Sequence, residues 1–362
     1  MARRSALAAM AGAVAVAGGG TATAEAAPLT RAAAQEAGGG LPVLAVGADW
    51  AEELAANPRV QLVPGATYTL SSTVELPDGC LVVGNGATVT VSGTSLGAFR
   101  VSGKRDVTLT GIRFRGQPED PVGTGMVTAH VGVRVSRSSD VRVHGCDFTH
   151  WRGAGVVVTG SADDDFFAYR VKVHDNTFDR CYFGFSAADR SEYALLGNNT
   201  FTYCRLAIWN SSGNWTVNGN SVVGCYGAYY SFAATSPYGS LTADNWNHGS
   251  VVGNTFNHAN SGTPTRWSSN AGFPLGGGSQ DPGPGVVVNG VLPPTFSGNT
   301  LWYTDVTATG LQGGGWLLTG CALSDLTLSC EGEVPVHLVG VQTHHAPTLK
   351  GNVKDLLAGA AG

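Results

Sequence analysis

The side chains able to do chemistry are few and sit mid-chain. Asp163-Asp164-Asp165 is a run of three consecutive carboxylates, flanked by Phe166-Phe167-Ala168-Tyr169. Such a triplet can hold Ca²⁺ or supply catalytic carboxylates, and it can equally be a solvated turn whose Asp side chains bond their own backbone. Asp179, Asp189 and Glu192 follow, with Arg190 and Arg205 close by. Two such carboxyl groups could serve as acid and base, or acid and nucleophile, at a glycosidic bond. On the outside of a repeating scaffold the same mixed charges make either a groove for an acidic sugar or exposed ion pairs of little energetic weight.

Aromatic residues are the second resource. Thr235 to His248 holds Tyr238, Trp246 and His248, and Ser261 to Pro294 holds Trp267 and Phe273 among many Gly, Ser and Pro residues. Long loops on a rigid scaffold are where binding resides, and rings beside Asn and Asp suit stacking on a sugar. Together with Trp209, Tyr230 and Arg205 these residues form the expected glycan-binding set. The competing expectation is that the rings pack the loops onto the scaffold or onto a neighbouring subunit. His344-His345 lacks a third ligand at a suitable spacing and reads as surface. The seven Cys show no CxxC spacing, so no metal site, and no cofactor, is expected.

These residues must be positioned by something, and composition narrows what. With 52 Gly and 13% charged residues in 362, the long side chains of exposed helices are scarce. Net charge is −5 and basic residues do not gather in a stripe, which removes nucleic acid from consideration. From residue 40 onward no apolar run reaches the 18 residues a membrane span needs.

A repeat settles the architecture. Thr110-Gly111-Ile112-Arg113-Phe114 recurs as His144-Gly145-Cys146-Asp147-Phe148, His174-Asp175-Asn176-Thr177-Phe178, Gly197-Asn198-Asn199-Thr200-Phe201, Asn218-Gly219-Asn220-Ser221-Val222, Val252-Gly253-Asn254-Thr255-Phe256, Ser297-Gly298-Asn299-Thr300-Leu301 and Thr319-Gly320-Cys321-Ala322-Leu323. The third residues lie 34, 30, 23, 21, 34, 45 and 22 apart. The shortest gaps fit three short strands and three turns, and the longer ones add a loop. The spacing predicts an all-β, right-handed parallel β-helix of about nine coils over 46–340. Insertions are expected near 117–131, 160–169, 235–248 and 260–294, and a tail over 341–362. The motif Asn residues should stack at one turn in left-handed backbone, the Phe residues two positions on should form a core ladder, and Cys181, Cys204 and Cys225 should stack as small interior hydrophobes. Asp49 to Asn57 should form a helix capping the open end.

Val63-Pro64-Gly65-Ala66-Thr67-Tyr68-Thr69-Leu70, Leu81-Val82-Val83-Gly84-Asn85-Gly86-Ala87-Thr88 and the Gly-Asn-Thr-Phe turns resemble the parallel β-helix proteins of the pectate-lyase-like superfamily, which includes phage tailspikes and related virion spikes. The resemblance implies a polysaccharide-binding or polysaccharide-cleaving scaffold. It supplies no catalytic set, because the Asp pair, Gly-His-Gly and Arg-x-Lys elements of polygalacturonases and the strand-borne Asp cluster of pectate lyases are missing.

Two functions are consistent with these features. One is a virion-surface spike, homotrimeric, joined to a capsid or tail protein through the Gly/Ala-rich arm 1–45 and binding host cell-surface polysaccharide. The other is a secreted lyase or glycosidase, for which Arg3-Arg4, the apolar run Ala6 to Gly18 and the small residues Thr21 to Ala27 would form an export leader.

Overall fold

The computed structural model describes residues 40–117, 125–160, 168–232, 237–239, 249–259 and 283–356. Strands of two to six residues recur in threes, and each pairs with its counterpart one coil earlier and one coil later. Three long sheets result. Among the described residues sheet I has 13 strands, from Val43–Leu44 to Val353–Asp355. Sheets II and III have 11 each, running from Thr67–Leu70 to Gln342–Thr343 and from Val74–Glu75 to Thr348–Gly351. The pairings that build the three sheets are parallel, as between Phe178 and Phe201 or Val143 and Val173. With right-handed crossovers between parallel strands, this is the expected right-handed parallel β-helix.

Sheets II and III count eleven coils where the motif counts about nine. The first two strands of sheet II carry Tyr68 and Val89 at the position of the motif Phe, and the last carries Thr343, so pattern matching misses them. Two boundaries move accordingly. The expected tail contains Gln342–Thr343, Thr348–Gly351 and Val353–Asp355, each paired to the previous coil. The expected arm already pairs Val43 and Leu44 with Gln61 and Leu62. Within the expected 260–294 insertion, Gly285–Asn289 is a strand of sheet III.

The turn between sheets I and II is held by the asparagine ladder. Each motif Asn is buried, and from Asn199 onward its Oδ1 accepts both the backbone N–H and the amide of the previous Asn, as Asn199 Oδ1 does from Asn176 at 3.0 Å each. Its own amide also donates to a sheet I carbonyl, Val173 in the case of Asn199, at 3.0 Å. The left-handed residue, however, is the one before the Asn: Gly111, Gly145, Asp175, Asn198, Gly219, Gly253, Gly298 and Gly320 have φ between 54° and 66°. The motif Asn stays outside that region because its side chain must point along the axis to reach the next coil.

Two positions after the Asn the core ladder forms. Phe114, Phe148, Phe178 and Phe201 stack at centroid spacings of 4.8, 5.0 and 4.7 Å with planes within 9° of parallel, near the interstrand repeat. Phe178, Phe201 and Phe256 are fully buried on sheet II, as the register requires. Opposite them sheet III must thin: a Cβ on Gly132, Gly155 or Gly184 would lie 2.5–2.8 Å from the rings of Phe148, Phe178 and Phe201.

At the N-terminal end the helix Trp50–Ala56 covers the first coil as expected. Asp49 caps it by accepting from the Ala51 and Glu52 N–H groups at 2.8 and 3.1 Å. Trp50 and Leu54 are buried, with Trp50 against Tyr68 and Phe99. Burying those two side chains contributes about 1.5–3 kcal/mol each.

Candidate functional site

Of the expected site residues, Asp163, Asp164, Asp165, Trp246, His248, Trp267 and Phe273 lie outside the described residues. The remaining carboxylates are occupied. Asp179 accepts from Thr202 Oγ1 at 2.7 Å and from Arg180 Nη1. Glu192 is buried and accepts from Asn214 Nδ2 at 2.8 Å. Asp189 is half-buried in left-handed backbone, with its carboxylate against Gly239.

The expected groove around Arg205, Trp209 and Tyr230 is not a surface. All three are fully buried. Trp209 and Tyr230 do face outward from sheet III, in one register column with Ser186 and Val287. There they form a second apolar cluster with Tyr182, Phe183, Leu206 and Tyr238. Tyr238 packs edge-on to Phe183 at 6.1 Å, and the Arg205 guanidinium lies 3.8 Å from the Tyr226 ring centroid. These rings join the covering chain to sheet III, so the packing expectation holds for them and an open sugar platform does not.

Cys181, Cys204 and Cys225 are reduced and fully buried in one stack, where the Cys204 N–H donates to Cys225 Sγ at 3.3 Å. Burial pushes the Cys181 and Cys225 thiols well up. Among the described residues no group of three or more His, Cys, Asp and Glu is arranged to hold a metal ion.

Among the described residues, three of the four exposed Tyr and Trp side chains, all but Tyr193, lie elsewhere, at the turn from sheet II to sheet III. Each coil there places a left-handed residue just after its sheet II outward position: His150, Arg180, Tyr203, Gly224, His258, Tyr303 and Asp325, with φ of 47–64°. Beside them runs the outward column Asp179, Thr202, Val223, Asn257, Trp302 and Ser324. Left-handed backbone at successive coils turns these side chains out of the coil, so the two columns form a stripe along the axis. From Arg180 to Asp325 it crosses five coil steps, about 24 Å at ~4.8 Å each.

Tyr203, Trp302 and Tyr303 are 44, 40 and 38% exposed, far above the buried aromatics of sheet III. Their orientations are set by neighbours in the ladder. Arg180 lies 5.4 Å from the Tyr203 ring centroid, and that ring covers Gly224, where a Cβ would come within 2.9 Å of it. His258 lies 4.9 Å from Tyr303, and His344 stacks near Trp302 at 6.0 Å. His345 Nδ1 meets the Asp325 carboxylate at 2.8 and 3.0 Å, and Ser324 Oγ donates to it at 2.7 Å. Ser324 and His345 together hold the Asp325 carboxyl below the usual carboxylate range. Chemically the stripe offers ring faces alternating with amide, hydroxyl, imidazole and carboxylate groups. The sequence shows it as the variable pair after each motif Phe or its aliphatic replacement: Asp179-Arg180, Thr202-Tyr203, Val223-Gly224, Asn257-His258, Trp302-Tyr303 and Ser324-Asp325.

Among solved structures, the endo-xylogalacturonan hydrolase from Aspergillus tubingensis is similar with a TM-score of 0.53 at 14% identity, over 86% of this chain and 96% of that one. The N-terminal fragment of bacteriophage Phi29 gene product 12 is similar with a TM-score of 0.50 at 12% identity, over 83% of this chain and 67% of that one. At these identities the likeness is one of fold, that of the parallel β-helix. In sequence, the E1B 55 kDa protein of Human adenovirus B serotype 7 is 24% identical over 171 residues, 45% of this chain. The matched region spans about 30% of that relative's length. A family model described as "Adenovirus EB1 55K protein / large t-antigen" matches residues 43–234. That stretch is more than half of the chain and runs from the first strand of sheet I into the middle of the coils, so the chain belongs to the adenovirus EB1 55K protein / large t-antigen family.

Proposed function

We propose that the protein binds polysaccharide without cleaving it, laying an extended glycan along the stripe from Arg180 to Asp325. The supporting observation is the clustering of exposed Tyr203, Trp302 and Tyr303 at one turn, in register and flanked by hydrogen-bonding side chains. A sugar ring presents an apolar face and a rim of hydroxyls, which is what rings alternating with polar groups can satisfy. A binding role fits the described carboxylates, since Asp179 and Glu192 are already engaged by Thr202, Arg180 and Asn214.

On this reading the protein acts outside the cell or on a virion surface, as an attachment spike. A homotrimer would there multiply a weak single site into useful avidity. Light scattering of the full chain counts the copies.

The test is a double substitution, Trp302→Ala with Tyr303→Ala. Two rings worth about 0.5–1.5 kcal/mol each should weaken glycan affinity about tenfold. Affinity electrophoresis through surface polysaccharides measures retention, and a reducing-end assay on the same mixtures should stay flat. Retention unchanged by the double substitution would reject the stripe as the site, and new reducing ends would reject binding without cleavage.

A further inference from the structure

Sheet III carries a second polar feature, on its outer face near the N-terminal end. Glu75, Arg100 and Arg134 occupy one register column on its first three strands. Arg100 and Arg134 stand on neighbouring strands whose backbones lie about 4.8 Å apart, and two like charges on one face at that spacing call for compensating negative charge. Among the described residues Glu75 meets only Arg100, at its Nε, and both side chains are half-exposed. Arg134 is partly buried, and its visible partners are neutral. Its Nη2 donates to the Thr128 carbonyl at 2.9 Å, and its guanidinium lies 5.2 Å from the Tyr238 ring centroid. Burial raises the Tyr238 hydroxyl far above its ordinary value, so that phenol stays uncharged. Burial and the neighbouring Arg100 both work against the charge on Arg134.

Against this pair opens a cleft of ≈340 Å³, lined by Thr73, Ser95, Thr128, Phe99, Arg100 and Arg134 among others. Its described lining includes no carboxylate. Gly97 keeps its wall close, since a Cβ there would lie 3.1 Å from the Val131 carbonyl oxygen. The volume is at the small end of ligand sites, roomy for a sugar unit and too large for a bare anion to fill.

We propose that this cleft binds an anionic saccharide, with the guanidinium groups of Arg134 and Arg100 holding its carboxylate or sulfate group and the hydroxyls of Thr73, Ser95 and Thr128 meeting its sugar hydroxyls. Arg134 keeps donors of its planar fork uncommitted among the described residues, the geometry that recognises an oxyanion through two parallel bonds. The proposal takes from the glycan reading only that the ligand is a saccharide, and the site lies on a different sheet face from the aromatic stripe.

Isothermal titration of the full chain with a hyaluronan tetrasaccharide (carboxylate only), a heparin tetrasaccharide (carboxylate and sulfate) and inorganic sulfate tests it. At least one tetrasaccharide should bind, more weakly at higher salt. Arg134→Gln should weaken it at least tenfold and Arg100→Gln severalfold, whereas Glu75→Gln, which removes the competing carboxylate, should tighten it severalfold. Arg100 and Glu75 are exposed enough that their variants should keep the fold, which guards against a misfolded Arg134 variant. The proposal is overturned if neither tetrasaccharide binds, or if all three substitutions leave binding unchanged. It is also overturned if inorganic sulfate binds as tightly as both tetrasaccharides, an adventitious ion only. Loss of binding on Trp302→Ala with Tyr303→Ala, but not on Arg134→Gln or Arg100→Gln, rejects this site and keeps the stripe. The reverse keeps this site and rejects the stripe.

Discussion

Asn220→Ala tests the ladder that holds the coils in register. Asn220 is 1% exposed and sits mid-ladder. Its Oδ1 accepts from the Asn199 N–H at 3.0 Å and the Asn199 amide at 2.9 Å, and its amide donates to Leu196 O at 3.0 Å and Asn254 Oδ1 at 2.9 Å. Truncation removes all four bonds. The Asn199 amide keeps Val173 O, and Asn254 Oδ1 keeps the Asn220 backbone N–H. The Asn199 backbone N–H is left buried without its acceptor, which costs about 1–3 kcal/mol, and the other three bonds are worth about 0.5–1.5 kcal/mol each. Allowing for partial relaxation, the loss should be about 3–5 kcal/mol. A solenoid does not unfold as one unit, so the loss should be read locally. Hydrogen exchange at the Asn199 amide should speed up by about 10²-fold or more, since ~1.4 kcal/mol is a factor of ten. The urea midpoint should fall as well, while Thr200→Ala, exposed in the same coil, leaves both readouts near wild type. An Asn199 amide that exchanges within threefold of wild type in Asn220→Ala would refute the ladder as a source of stability.

Phe201→Ala opens a cavity under the Phe178 ring stacked 4.7 Å away and should cost about 3–5 kcal/mol by chemical denaturation, and a loss below 1 kcal/mol would refute the close-packed ladder. His130 is fully buried, donates Nε2–H to the Gly116 carbonyl at 3.1 Å and accepts the Arg152 N–H at 2.9 Å, and burial lowers its pKa to about 4. Because the folded pKa lies below the unfolded 6.5, its contribution is fully present above pH 6.5 and is lost as pH falls toward 4. The loss is about 3 kcal/mol, and denaturation midpoints of wild type and His130→Gln at pH 7 and 4.5 should show a larger fall in the wild type. All seven Cys are buried, and burial pushes Cys80 and Cys146 up to about 12, so a thiol reagent at pH 8 should label none rapidly in the native protein, and prompt labelling of Cys204 would place it outside the coil.

The coil and two of its ladders are legible because a solenoid repeats its constraints. The Asn and the Phe recur since each must meet its own copy one coil away. What the motif does not carry is the end of the repeat. At Tyr68 and Thr343 the neighbouring ladder stops, the stacking partner is gone on one side, and other residues fit. The motif itself marks where the amide ladder ends: Cys146 and Cys321 take the Asn position, with the Cys146 N–H donating to Asn176 Oδ1 at 3.0 Å. The left-handed assignment goes one residue astray for a related reason. Gly, Asn and Asp share the tolerance for positive φ, so type alone does not distinguish the residue that turns the chain from the residue that spans to the next coil.

The site is less legible because outwardness and exposure are different properties. Alternation correctly sends Trp209 and Tyr230 outward from sheet III, but other chain covers that face, and nothing local to either residue reports it. The reverse holds at the sheet II to III turn. Tyr203 and Tyr303 lie 100 residues apart in sequence, yet each occupies the same position after the motif, so the fold brings them into one axial stripe. Arg100 and Arg134 are neighbours on adjacent strands for the same reason, although they lie 34 residues apart in sequence. In a β-helix, then, position within the coil decides which residues share a face, and cover decides whether that face meets solvent. The first follows from counting within the motif. The second depends on where the insertions return, so candidate surface residues in such chains are best sought at turns too short to be covered.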